Sequence, residues 1–293
     1  LAPEGTARFS YCRTVFHAKA GSLLASRTPT QIGAEMYGEA GVGADVEIIS
    51  LMLSMLESAG MQQVHLDLGN VGVFRALAQK AGLTEVQQNE LFNLLKLKCE
   101  SDIVAWTERE IQQPQLAEAF AMLPRLQGDA VKLQERIARL GELVPETIVP
   151  LQHIQQVAER VAARYPQTPL YFDLTELRGY NYHTGLLFAA YIPGYGDAIA
   201  QGGRYDETGA VFGRARPATG FSADLKVMSR FGTFVTEEKQ TVVAPDADDA
   251  ELWAEIAALR AAGKRVLIAA EQDAVPADWY LKKQDGQWQL VEA

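Results

Sequence analysis

The chain has 293 residues, 48% apolar and 22% charged, enough for one large domain and a small one around a sizeable core. Its 27 Lys and Arg stand against 37 Asp and Glu, a formal charge of −10 that argues against a broad nucleic-acid-binding surface. Cys12 and Cys99 are too few and too isolated for a disulfide framework or a metal site, and they read as free thiols of a reducing cytosol. No run is long enough to span a membrane, and the start does not look like a signal peptide.

Leu1 stands where Met is expected and leads straight into a strand-like stretch, so further residues are expected upstream. Arg8 to Phe16, rich in aromatic and branched residues, reads as a strand. Small and polar residues from Lys19 to Thr30 form a long turn, and Gln31 to Gly38 returns as the second strand of a hairpin. Period-two alternation puts Gln31, Gly33, Glu35 and Tyr37 on one face, and Ile32, Ala34 and Met36 on the other. Gln31 and Glu35 therefore point together, an amide and a carboxylate able to receive an ammonium group; both equally suit a solvent-facing strand. Asp45 is placed to cap an apolar helix from Val46 to Ala59 that Gly60 stops. A short strand, Val64 to Leu68, precedes a helix from Val71 to Ala81 that ends at Gly82.

From Thr84 to about Arg164 the pattern is helical almost throughout, cut into pieces by Pro114, Pro124, Gly128, Gly141 and Pro145. No polar cluster converges in this block, and His153 reads as an ordinary residue of an amphipathic helix. The block is expected to be a helical insertion over about 70–165, serving packing and surface display. Leu170 to Leu174 returns to strand. Ala218 to Lys226 runs from strand into helix. Beyond Gly232, strand Thr241–Ala244, helix Asp248–Ala261 and strand Arg265–Ala270 make a βαβ unit, and a hairpin around Asp285-Gly286 closes the chain. Two domains are expected, over 1–232 and 233–293.

Two dense polar motifs flank one apolar run. The first is Leu177-Arg178-Gly179-Tyr180-Asn181-Tyr182-His183-Thr184-Gly185, and the second is Gln201-Gly202-Gly203-Arg204-Tyr205-Asp206. Between them, Leu186 to Ile192 suits a buried strand. Paired glycines let a backbone come close to a ligand, and Arg178 and Arg204 each offer a planar fork for a carboxylate. Tyr180, Tyr182 and Tyr205 supply hydroxyls and walls, and Asp173 and Glu176 add carboxylates beside the first motif. A carboxylate clamp together with an ammonium acceptor suggests an amino-acid ligand. The plainer alternatives are an Arg204–Asp206 ion pair at a turn and a simple bulge at Gly202-Gly203. His183 reads as a ring in a pocket wall rather than a metal ligand, because no second His or Cys lies at ligand spacing.

Arg178-Gly179-Tyr180-Asn181-Tyr182-His183-Thr184-Gly185, Gly202-Gly203-Arg204-Tyr205-Asp206 and Gln31-Ile32-Gly33-Ala34-Glu35 resemble motifs of the class II aminoacyl-tRNA synthetases, in their histidyl branch, over about residues 8–230. The resemblance implies an α+β fold: a class II synthetase-like antiparallel sheet with a helical insertion, plus a small C-terminal α/β subdomain. Two departures matter. Phe16-His17-Ala18-Lys19 stands where those enzymes carry the Arg that holds the ATP α-phosphate, and Ala223-Asp224-Leu225-Lys226 stands where they carry the γ-phosphate Arg. Losing both nucleotide clamps while keeping an amino-acid pocket resembles the ATP phosphoribosyltransferase regulatory subunit family, to which Tyr182-His183-Thr184-Gly185-Leu186-Leu187-Phe188 and Gly213-Arg214-Ala215-Arg216-Pro217 are also similar. That resemblance implies a non-catalytic, cytoplasmic subunit of histidine biosynthesis with no cofactor and no metal. Its partner would be the short catalytic phosphoribosyltransferase subunit, in a mixed oligomer with self-association, and histidine its effector. Gln31 and Glu35 would take the ammonium or imidazole, Arg178 the carboxylate, and Tyr182, His183 and Tyr205 would form the walls, supported by Tyr180, Gly202, Gly203 and Arg204. The alternative is an active histidyl-tRNA synthetase or a synthetase-like ligase.

Overall fold

Strands β1 (Ala7–Thr14) and β2 (Thr30–Tyr37) pair as an antiparallel hairpin in which Phe9 faces Glu35 and Arg13 faces Gln31. The structure, a computed structural model, describes residues 5–18, 26–177, 179–180, 182–233, 240–271 and 275–293, so most of the long turn expected after Phe16 lies outside the described residues. Along β2, Ala34 and Met36 are buried, while Gln31, Glu35 and Tyr37 line a cavity on the opposite face. Helix α1 (Val42–Ser58) starts at Val42 with Gly41 as its N-cap, so Asp45 does not cap it. Asp45 lies one turn inside, fully buried, because the Arg204 guanidinium compensates its charge there.

Strand β3 (His65–Asn70) runs to Asn70, whose side chain accepts the Gly72 N–H and caps α2 (Val71–Ala81). Gly82 closes α2 in the left-handed region at φ 65, where a missing Cβ removes the steric cost. Helices α3 (Glu85–Leu97), α4 (Glu100–Glu110) and α5 (Pro114–Met122) follow. Pro114 opens α5, where its absent N–H would have no partner anyway. The block is not purely helical: Gln127–Gly128 form a short strand, β4, before α6 (Ala130–Leu143) and α7 (Ile148–Arg164). Gly141 stays inside α6 rather than breaking it.

Strands β5 (Leu170–Asp173), β6 (Leu186–Tyr191), β7 (Ala200–Arg204) and β8 (Ala218–Asp224) complete the large sheet, and α8 (Leu225–Phe231) follows directly. Among the described residues the order is β1-β2-β8-β7-β6-β3-β5-β4, antiparallel throughout except for the parallel pair β3 and β5. Helices α1 and α7 pack on the sheet, and Met36 of β2, Phe221 of β8, Phe188 of β6 and Leu68 of β3 are buried in the same core. Each such side chain contributes about 1.5–3 kcal/mol by leaving water.

Residues 1–234 form one compact unit and residues 235–293 another. In the smaller, β9 (Thr241–Pro245), α9 (Ala250–Ala261) and β10 (Arg265–Ala269) make a parallel βαβ unit. Strand β11 (Trp279–Gln284) lies parallel to β9 and pairs antiparallel with β12 (Gln287–Glu292). Asp285 and Gly286 have φ 47 and 82, the two left-handed residues that a tight hairpin turn needs. Among the described residues, no helix is long and apolar enough to cross a membrane.

Candidate functional site

A cavity of about 570 Å³ lies over the sheet, lined from β2, β8, β7, β6, β3 and β5. Strand register explains its shape. Glu35 pairs with Gly220, Gly220 with Gly203, Gly203 with Leu187 and Leu187 with Gly69, so one row crosses five strands on one face. Three of those five positions are glycines, which leaves a trough. Neighbouring groups lie flat in it: a Cβ on Gly203 would stand 2.8 Å from the His183 ring, and one on Gly69 would stand 2.8 Å from the Asp173 carbonyl oxygen. A Cβ on Gly220 would overlap the Glu35 carboxylate. Gly202 serves the other face, where a Cβ would stand 2.5 Å from the Phe188 ring. The paired glycines thus make room for two rings of the chain itself, one in the core and one in the cavity wall.

Glu35 is the best-defined polar group of the trough. Tyr11 donates its hydroxyl to Oε1 at 3.2 Å, and Tyr205 donates to Oε2. Burial pushes the Glu35 pKa up against the opposing pull of these two hydrogen bonds. Burial and the nearby carboxylate likewise push the Tyr11 and Tyr205 phenols up, so both stay protonated donors. Gln31 lines the same cavity beside Gln201 and Ser222.

In the first motif, Arg178 and Asn181 lie outside the described residues. Around them, the backbone N–H groups of Tyr182 and His183 both donate to the Gly179 carbonyl at 2.9 Å, a tight turn with Gly179 at φ 65. Tyr182 is 56% exposed at the cavity edge, and its ring lies 4.1 Å from that of the buried His183. Tyr180 is not a wall. It turns away from the cavity to donate to Gln88 Oε1 at 3.0 Å and to set its ring edge-on to Phe74 at 5.2 Å, because α2 and α3 offer it an apolar seat with one polar partner.

Arg204 does not line the cavity either. Its Nε and Nη2 grip Asp45 at 3.2 and 2.9 Å, and Nη1 reaches the Glu39 carbonyl at 3.0 Å and Asp206 at 3.1 Å. Of the two readings of this motif, the structure displays the ion pair, in a larger buried form. His153 of α7 brings Nε2 within 3.0 Å of Asp45 Oδ2, so the helical block does contribute to a polar cluster. The two motifs are also tied together: Thr184 N donates to the Arg204 carbonyl at 2.8 Å, and Asp206 N donates to Thr184 Oγ1 at 3.0 Å.

Sequence reasoning puts Tyr37 on the face of Glu35 without giving it a role, and misses Tyr11 and Asp67 as lining residues. Asp67 carries a readable signal, a lone carboxylate between Leu66 and Leu68 in a short strand. Tyr11 does not, because only the hairpin register sets it beside Glu35. Asp173 and Glu176 do line the cavity, with Asp173 compensated by Lys98 at 2.6 Å. A second cavity of about 750 Å³ shares Gln31, Gln201 and Ser222 with the first and includes His17, Lys226 and Arg230. Lys226 Nζ is occupied there by the Thr28 carbonyl at 2.6 Å. Among the described residues, no group of three or more His, Cys, Asp or Glu is placed to hold a metal.

Residues 1–228 match the histidyl-tRNA synthetase family model, and residues 239–291 match that of the ATP phosphoribosyltransferase subunit HisZ C-terminal domain. The ATP phosphoribosyltransferase regulatory subunit of Cellvibrio japonicus is 46% identical over 292 residues, covering 98% of this chain and 73% of the relative. The chain belongs to the ATP phosphoribosyltransferase regulatory subunit family. Its fold is that of a solved ATP phosphoribosyltransferase regulatory subunit/histidyl-tRNA synthetase from Bacillus halodurans, with TM-score 0.76 at 22% identity over 93% of this chain and 71% of the other. A chain of the ATP phosphoribosyl transferase (HisG:HisZ) complex from Thermotoga maritima shares the fold at TM-score 0.58 and 16% identity, over 76% of this chain and 75% of that one.

Proposed function

We propose that this chain activates a short catalytic ATP phosphoribosyltransferase subunit in the cytoplasm and carries histidine feedback inhibition to it, in a mixed oligomer with self-association. The observation that carries this reading is the 46% identity to a named regulatory subunit along 98% of the chain. The cavity supports the effector. It is the size of a small-molecule site, and it offers Glu35 and Gln31 to an ammonium or imidazole. Arg178 is assigned the ligand carboxylate, Tyr182, His183 and Tyr205 the walls, and Tyr180, Gly202, Gly203 and Arg204 the scaffold behind them. Histidine would bind one state of the complex better than another, and a coupling of about 1–3 kcal/mol is enough to shift its population.

The match of residues 1–228 to the histidyl-tRNA synthetase model favours a second reading, an active synthetase. Against it stand His17 and Lys226 at the nucleotide-clamp positions, with Lys226 already bound to Thr28. Histidine-dependent exchange of pyrophosphate into ATP would establish the second reading. For the first, the chain is mixed with the short phosphoribosyltransferase subunit and turnover is followed with and without histidine. Turnover rises with the added chain and falls again with histidine; a rate indifferent to the chain overturns the reading.

A further inference from the structure

Arg75, on α2, does not line the cavity, yet it holds the cavity's first motif from behind. Its Nη2 donates to the Tyr180 carbonyl at 2.9 Å and to the His183 carbonyl at 2.7 Å. Its guanidinium also lies over the Tyr180 ring, 5.1 Å from the centroid. The turn carrying Tyr182 runs between those two carbonyls and closes on the Gly179 carbonyl. There is no slack inside it, because a Cβ on Gly179 would stand 2.5 Å from His183 Nδ1 and 2.7 Å from the Tyr182 ring. From outside, Gln88 of α3 and Phe74 of α2 fix Tyr180.

One planar cation bridging carbonyls three residues apart fixes their separation, which a lysine ammonium or a water does less rigidly. The cost is visible: Arg75 Nε is buried without a hydrogen-bond partner. We propose that Arg75 is a positioning residue of the cavity, setting the place of the stacked Tyr182–His183 wall and making α2 and α3 part of the machinery that responds to ligand. The ligand named in the test rests on the histidine reading above; the clamp itself does not.

The test uses the full chain and its four histidines, His17, His65, His153 and His183. The His183 imidazole proton resonance, assigned by its loss in His183→Gln, reports the ring stacked on Tyr182. Arg75→Met is expected to displace that resonance and to weaken histidine binding about tenfold or more, as loss of charge-assisted hydrogen bonds does. Arg75→Lys restores part of both. A purely structural role would lower the melting temperature and leave the resonance and the affinity in place, and that result overturns the proposal. Should Arg75→Met fail to fold, Gln88→Ala, at a half-buried position, moves the same resonance in the same direction by less; an unmoved resonance there is equally fatal. If the parent chain does not bind histidine, the histidine reading fails by itself and the resonance still decides the clamp.

Discussion

Tyr205 donates its hydroxyl to the Glu35 carboxylate from two strands away, reaching across Gly220, which has no side chain to block it. With Tyr11 on the other oxygen, the carboxylate is fixed in orientation but not neutralised. Glu35→Gln keeps an acceptor for one hydroxyl and removes the charge. Histidine affinity of the full chain is expected to fall about tenfold or more, equivalent to about 1.4 kcal/mol. The melting temperature should not fall, since a half-buried amide costs less than a carboxylate. Calorimetric titration and thermal melts check both, and equal histidine affinity in variant and parent counts against this pocket.

The pH dependence has a definite sign. Burial raises the folded-state pKa of Glu35 above its ordinary value of 4.5. A bound ammonium needs the ionised form, so histidine affinity is expected to decay, as pH falls, at a higher pH than an ordinary carboxylate would give. For the empty protein the direction reverses. The favourable contribution of protonated Glu35 is complete below its unfolded pKa and is lost as pH rises through the folded one. Titrations from neutral pH downwards should show, beyond the change from the ligand's own imidazole that both proteins share, a decline in the parent that Glu35→Gln lacks. Parallel profiles would remove Glu35 from the binding step.

Gly203→Ala tests the trough. The new Cβ would stand 2.7 Å from the Leu186 carbonyl oxygen and 2.8 Å from the His183 ring. The carbonyl belongs to the paired strand and cannot move away, so either the sheet or the ring must yield. Overpacking of this kind costs about 1–3 kcal/mol. Chemical denaturation should show that loss together with weaker histidine binding. Gly194→Ala, where a Cβ would meet nothing but φ is 81, is expected to cost stability and leave binding alone.

Much of this was readable in the sequence because local signals and the fold agree. The alternation in β2 put Glu35 and Gln31 on one face, Val71 to Ala81 was ended by Gly82, and Asp285-Gly286 marked its hairpin. What escaped depends on distance along the chain. Asp45 looks like a helix cap because its partner Arg204 lies 159 residues away and draws it into the core. Tyr180 looks like a wall residue until Gln88, 92 residues away, claims its hydroxyl. Two-residue strand β4 has no periodicity to detect and exists because β5 offers it an edge. Glycine rows are invisible for the same reason: Gly220, Gly203 and Gly69 are scattered in the sequence and become one trough only through register.

Asp45 and Arg204 form the ion pair whose loss should be felt most. Both are almost wholly buried, and the pair joins α1 to the strand end that carries Tyr205. Removing one partner leaves a buried charge with too few acceptors, which costs about 3–5 kcal/mol out of a total stability of about 5–15 kcal/mol. Asp45→Asn is therefore expected to be strongly destabilising, and Arg204→Lys less so, since an ammonium can keep one oxygen of Asp45 but not the paired grip. The double replacement Asp45→Leu with Arg204→Met removes both charges and should recover part of the stability lost by Asp45→Leu or Arg204→Met alone. It should not recover histidine binding, because Arg204 also fixes Asp206 and the Glu39 carbonyl beside Tyr205. Denaturant unfolding of Asp45→Leu alone, Arg204→Met alone and the double gives the coupling energy directly. Additive losses would mean that the pair contributes nothing as a pair.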